Sequence, residues 1–326
     1  MTATTAITER LLAGERIALA RLISWAENGD ARFTPALSEV WARVGRAQRI
    51  GVTGPPGAGK STLVNELARL YRAADRSVGV LAVDPSSPFT GGALLGDRIR
   101  MEERTMDPGV FIRSMASRDS HGGLARAAVD ACDAMDAFGL ETLLVETVGV
   151  GQAEYDVMDA ADTVLVVLHP GAGDGIQAMK AGLLEVADVL VVNKADQPGA
   201  ERLQQDLEEA VHVRRHARAD AWRAPVVACS AGRGEFVELV VEAIAAHGAW
   251  LGAHDLEGIR RAKRSAQVRR TLGETLTTAL WEERGLGERA ARALAAGQAP
   301  CAVAAGLLSD ILGLVPSPSK PNEATR

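Results

Sequence analysis

Apolar residues recur at spacings of three and four through the first 47 positions, at Ile7, Leu11, Leu12, Ile17, Leu19, Leu22 and Ile23, and again at Leu37, Val40, Trp41 and Val44. That period gathers them on one face of successive amphipathic helices. From about Arg49 the pattern changes. Short, nearly continuous apolar runs, Arg49–Thr53, Val78–Val83, Thr142–Glu146, Thr163–Leu168, Val189–Asn193 and Val226–Cys229, alternate with helical stretches that include Lys60–Ala74, Gly122–Phe138 and Glu201–Ala217. Strands apolar on both faces and separated by helices predict an α/β fold, a doubly wound and mostly parallel sheet covered on both sides. After about Gly252 no strand pattern returns. Helices follow, with a basic run at Arg260, Arg261, Lys263, Arg264, Arg269 and Arg270. Those charges are expected to form a solvated helix face, with Ile259 and Val268 turned inward. The expected organisation is a helical N-terminal extension over 1–47, a core domain over 48–250, a helical C-terminal region over 251–315, and a Pro- and Ser-rich disordered tail over 316–326.

Composition narrows what such a fold is for. Hydrophobic residues make up 47% and charged residues 24% of the 326 positions, so the chain has ample material for a core. The net charge of −6 argues against a nucleic-acid binder, which needs a basic surface, and 4% aromatics leaves little for base-stacking platforms. Cys132, Cys229 and Cys301 lie far apart with no C-x-x-C pair, which speaks against a disulfide framework or a zinc knuckle. No apolar run approaches the roughly 18 residues of a membrane span, and the N-terminus lacks a signal-peptide core. A soluble, cytoplasmic protein is expected. The 33 glycines, set against so few aromatics, point to recognition by backbone.

Gly54-Pro55-Pro56-Gly57-Ala58-Gly59-Lys60-Ser61 fits G-x-x-x-x-G-K-[ST] at every fixed position, with an apolar strand before it and a helical stretch beginning Ser61-Thr62 after it. Glycines let backbone N–H groups turn inward around phosphate oxygens, and the helix N-terminus adds partial positive charge. Lys60 is expected to reach the β- and γ-phosphates and the Ser61 hydroxyl to bind Mg²⁺. Asn193-Lys194-Ala195-Asp196, at the end of a later strand, is an N-K-x-D element. A carboxylate at Asp196 can accept from guanine N1–H and N2, donors that adenine lacks. Ser230-Ala231-Gly232 matches the backbone element that contacts guanine O6. Three acids fall where an α/β sheet presents its ligand crevice: Asp84, Asp97 and Glu146. They are candidates for holding Mg²⁺ and its waters. Lys60, Asp97 and Glu146 are the residues expected to act in catalysis. Glu146-x-x-Gly149 occupies the usual D-x-x-G slot. Val150 stands where Ras-like enzymes carry the water-positioning glutamine, and Gln152 comes two residues later, so slow intrinsic hydrolysis is expected. The chain thus reads as a P-loop GTPase core (GTP + H₂O to GDP + phosphate, EC 3.6.5.-) with helical N- and C-terminal extensions, binding GTP/GDP and Mg²⁺.

The GPPGAGKS loop, LAVDPSSP with the following TGG and LGDRIRM, VETVGVGQ, HPGAGDGIQAMKAGLLEVAD and VNKAD together resemble the MeaB/ArgK family. These are SIMIBI-class GTPase chaperones of adenosylcobalamin-dependent methylmalonyl-CoA mutase. The resemblance implies a GTPase whose hydrolysis gates cofactor loading and protection of such a mutase, and a homodimer formed largely by the C-terminal helices. It also offers a cobalamin adenosyltransferase as a partner, and no nucleic acid or membrane. It further implies that His169–Lys180 is a switch signalling nucleotide state, with Asp174 and Lys180 as its charged candidates. Two other readings are a P-loop kinase tied to arginine/ornithine transport and a metal-insertion GTPase. The guanine element speaks against the first, and the lack of a Cys/His metal motif against the second.

Overall fold

The structure, a computed structural model, describes residues 3–84, 107–116, 121–147, 158–171, 183–213 and 221–312. Among the described residues, seven strands form one sheet: β1 (Gln48–Thr53), β2 (Val78–Asp84), β3 (Val110–Ala116), β4 (Thr142–Thr147), β5 (Thr163–Leu168), β6 (Val189–Val192) and β7 (Val226–Ala228). They lie in the order β3-β2-β4-β1-β5-β6-β7, and every pairing is parallel. The sheet is therefore wholly parallel. The edge strand β3 has no counterpart among the sequence-predicted strands. Arg113 and Ser114 interrupt its apolar run, and the reason is tertiary: Arg113 bonds to Glu27 and Ser24 of the helix packed beside it.

The period-2 alternation of the strands sorts side chains into two cores. On one face Leu143, Val145, Val164, Val166 and Leu168 pack with α1 (Ala3–Leu12), α2 (Arg16–Glu27), α3 (Phe33–Val40), α5 (His121–Phe138) and α7 (Ala200–Val213). On the other, Ile50, Val52, Leu144, Leu165 and Val167 pack with α4 (Lys60–Ala73) and α8 (Val237–Ala253). The single turn α6 (Leu183–Val186) precedes β6. The N-terminal helices thus share the core of the sheet they precede.

The chain divides into two compact units, Met1–Arg260 and Arg261–Arg326. Helix α9 (Leu256–Thr278) crosses that boundary. Within the second unit, a π-helical turn (Ala279–Glu283), α10 (Leu286–Ala295) and α11 (Pro300–Leu312) follow, and Arg289 pairs with Asp310. Val268 is 66% exposed, so the expectation that it turns inward is wrong. The basic run is not uniformly solvated either. Arg260 is largely buried and forms a two-pronged pair with Asp162, Nε to Oδ1 at 2.9 Å and Nη2 to Oδ2 at 2.7 Å, while also donating to the Gly45 and Ala47 carbonyls.

Candidate nucleotide site

Everything expected to touch phosphate begins at the C-terminal end of β1, in the middle of the sheet. Gly54 leaves the strand at φ +143, and a Cβ there would sit 2.1 Å from the Val167 carbonyl oxygen of neighbouring β5. Only glycine lets the chain turn out so close to that backbone. Gly59 caps α4 in the left-handed region at φ +88, and a Cβ would lie 2.4 Å from Asn193 Nδ2. The first intrahelical bond runs from Leu63 N–H to Gly59 O at 2.9 Å, so the earlier amides of the helix face the loop. Thr62 is half-buried in that first turn. Lys60 is buried, and its Nζ arches back to donate to the carbonyls of Gly54 (2.8 Å) and Pro55 (3.0 Å). Lys60 thus ties the loop into a ring at a helix N-terminus, the arrangement of an anion cradle.

The acidic residues divide by position. Glu146 is buried near the end of β4, and the Ser61 hydroxyl donates to its Oε1 at 2.5 Å. A hydroxyl and a carboxylate converging beside a phosphate-type loop are the hard oxygen donors that Mg²⁺ selects. Next to them, Thr147 Oγ1 donates to Thr53 Oγ1 at 3.0 Å, tying the ends of β4 and β1 together. Asp84 is the last residue of β2, whose Ala82 stands opposite Glu146 in the ladder, so its backbone ends on the same side of the sheet. Asp97, Gly149, Gln152, Asp174 and Lys180 lie outside the described residues. Among the described residues, no group of three or more His, Cys, Asp and Glu is placed to hold a metal ion. Cys132 and Cys229 are buried and unbridged, and burial pushes both thiols up to about 12.

The base-recognition elements meet across β6 and β7. Asn193 is buried, and its amide faces both ways. Nδ2 donates to Ala58 O of the phosphate loop at 2.8 Å, while Oδ1 accepts the Ala231 N–H at 3.0 Å. One side chain therefore fastens the phosphate loop to Ser230–Gly232. Lys194 takes a left-handed φ of +57, which turns the chain so that Asp196 comes to face Ser230. The Asp196 N–H donates to Ser230 Oγ at 3.1 Å, and that hydroxyl donates to Asp196 Oδ1 at 3.0 Å. Arg233 Nη2 pairs with Asp196 Oδ2 at 3.0 Å. Gly232 has open space around it. Sequence reasoning placed Asn193, Asp196 and Ser230 together but overlooked Arg233, although its setting between Gly232 and Gly234 marks the tip of a turn.

Comparison with known proteins supplies the lineage of this geometry. The family model described as "Methylmalonyl Co-A mutase-associated GTPase MeaB" matches residues 19–284. The chain belongs to the MeaB family of GTPases. The family is of the SIMIBI class of P-loop GTPases. A Pyrococcus abyssi protein named as a GTPase is 45% identical over 265 residues, spanning 81% of this chain and 82% of that one. GTPase ArgK of Escherichia coli is 38% identical over 229 residues, spanning 68% and 69%. The mouse protein named methylmalonic aciduria type A homolog, mitochondrial, is 35% identical over 242 residues, spanning 69% of this chain and 58% of that one. Among solved structures, one titled LAO/AO transport system kinase superposes with a TM-score of 0.73 at 27% identity, covering 95% of this chain and 99% of that one.

Proposed function

We propose that this MeaB-family GTPase binds and hydrolyses GTP with Mg²⁺ and uses the nucleotide cycle to gate cofactor loading and protection of an adenosylcobalamin-dependent acyl-CoA mutase, methylmalonyl-CoA mutase being the favoured client. The observation that carries the GTPase chemistry is the double latch of Asn193 to Ala58 and Ala231, which holds the anion cradle and the Asp196 carboxylate as one piece. A site so joined reads triphosphate and base together. The client rests on the family's description and on the name of the mouse relative.

In this reading the Gly54–Ser61 loop, through the N–H groups its non-proline residues carry, and Lys60 bind the phosphates. Ser61, Glu146 and Asp84 would hold Mg²⁺ or its waters, with Asp97 as a further ligand, and the bound ion would supply charge neutralisation at the phosphates. Asp196 selects guanine. Asn193 belongs to the base-recognition element and also positions the phosphate loop. With Val150 in place of a water-positioning glutamine, intrinsic turnover is slow. The Glu146–Gln152 and His169–Lys180 segments, with Gly149, Asp174 and Lys180, carry nucleotide state to the partner. The protein acts as a homodimer, and a cobalamin adenosyltransferase joins the same loading step.

The test is a change of base. Asp196→Asn should weaken GTP binding at least tenfold and favour xanthosine triphosphate, whose O2 accepts from the new amide. Unchanged GTP affinity would refute the assignment. The solved relative titled as a transport-system kinase keeps a phosphotransfer reading open. Labelled γ-phosphate found on a protein rather than released as free phosphate would favour it.

A further inference from the structure

Both oxygens of the Asp196 carboxylate are engaged from the same loop. Oδ1 accepts from Ser230 Oγ at 3.0 Å, and Oδ2 faces Arg233 Nη2 at 3.0 Å. The loop that carries Arg233 is closed on itself. Arg233 N–H donates to Ser230 O at 2.9 Å, Glu235 N–H to the same carbonyl at 3.2 Å, and Ser230 N–H to Glu235 O at 3.0 Å. Arg233 is therefore presented from a fixed turn and does not sweep in from a long, mobile one. Its side chain is 59% exposed and that of Asp196 24%, so the guanidinium stands in water and can leave the carboxylate without itself being uncovered.

The chemistry of the two partners coincides. The N1–H, C2 and N2 edge of guanine is itself a guanidine unit: planar, with two parallel donors. An arginine guanidinium offers a carboxylate the same fork. A carboxylate set to read one is set to read the other. We propose that Arg233 is an internal stand-in for the guanine base, occupying Asp196 until a guanine nucleotide displaces it, and so lowering both the rate of base entry and the net affinity. The proposal rests on the assignment of Asp196 as the guanine reader.

The size of the effect follows from the pair's exposure. An ion pair this open to water is weak, which predicts that Arg233→Ala binds GDP about two- to fivefold tighter than wild type. The gain should appear chiefly in the association rate of a fluorescent GDP analogue followed by stopped flow. Arg233→Lys, a point charge without the fork, should fall between the two. In an Asp196→Asn background probed with xanthosine diphosphate, Arg233→Ala should change nothing, because a neutral amide does not hold the guanidinium. Unchanged or weaker GDP binding by Arg233→Ala in the wild-type background overturns the proposal. Weaker binding would mean that Arg233 stays beside the bound base and supports it. If Asp196→Asn switches to xanthine while Arg233→Ala is silent, only the stand-in role falls. If Asp196→Asn leaves base preference untouched, the guanine assignment falls and takes this role with it.

Discussion

At the scale of single residues, the site is built from conformations that few side chains tolerate. Gly54 and Gly59 are required because a Cβ would collide with Val167 O and Asn193 Nδ2. Asn193 is required because two backbone groups in different loops depend on its one amide, and stranding a buried polar group costs about 1–3 kcal/mol. Phe236 is the opposite case. It follows the Ser230–Glu235 turn with a left-handed φ of +60, yet its ring is 60% exposed. The backbone strain of a bulky residue there is about 1–2 kcal/mol, and the part of the residue that is buried offsets only a portion of it. Phe236→Gly should therefore raise stability by about 1 kcal/mol, seen as a melting temperature roughly 2–4 °C higher. A lower melting temperature would show that the ring makes contacts worth more than the strain.

At the scale of elements, the far end of the sheet from the nucleotide is held by ion pairs. Asp136 of α5 accepts the N–H groups of Gly45, Arg46 and Ala47 and the guanidinium of Arg49, which also bonds Asp133. Burial opposes the charge on Arg49, but the carboxylates, Asp133 foremost, outweigh it and raise its proton affinity. One turn away on α5, Asp130 lacks such support. Burial, reinforced by the Asp133 charge and only partly offset by Arg126, pushes its carboxyl up to about 7. Between the unfolded carboxylate value near 4 and pH 7, the folded state keeps a proton that the unfolded chain has released. Stability from this group is thus present at acid pH and lost as pH rises through 7. Asp130→Asn removes the loss. The variant should match wild type near pH 4.5 and exceed it by about 1–2 kcal/mol at pH 8, the half-buried setting reducing the full linkage value. Parallel denaturation curves at both pH values check this, and a pH-independent gap between the two proteins would contradict it. The sheet and its central strands were legible in the sequence because apolar runs report directly on backbone, and the fixed loop spacing marked the turn from which Ser61 reaches Glu146. β3 was not, because Arg113 breaks its run and is compensated by Glu27, some eighty-odd positions earlier. Arg260 read as surface charge for the same reason: its partner, Asp162, belongs to another element.

At the scale of the whole molecule, the second unit carries an exposed apolar surface. Val268, Leu272 and Leu276 recur every four residues along α9 and are 66%, 57% and 49% exposed, and Trp281 in the π-helical turn is 51% exposed. Residues four apart share one side of a helix, so this is a continuous apolar ridge rather than scattered surface residues. The occupant proposed above is a second copy of the chain, since a two-fold contact lets one ridge cover itself. Replacing Leu272 and Leu276 with Asp puts charges on that ridge at positions outside the Met1–Arg260 unit. The double variant should run as a monomer by light scattering at micromolar concentration where wild type runs as a dimer. Its helical content and GDP affinity should be retained. If wild type is itself monomeric, or if the double variant remains dimeric, the ridge is not the self-association surface. A double variant that is monomeric but still captures the mutase would separate dimerisation from client binding.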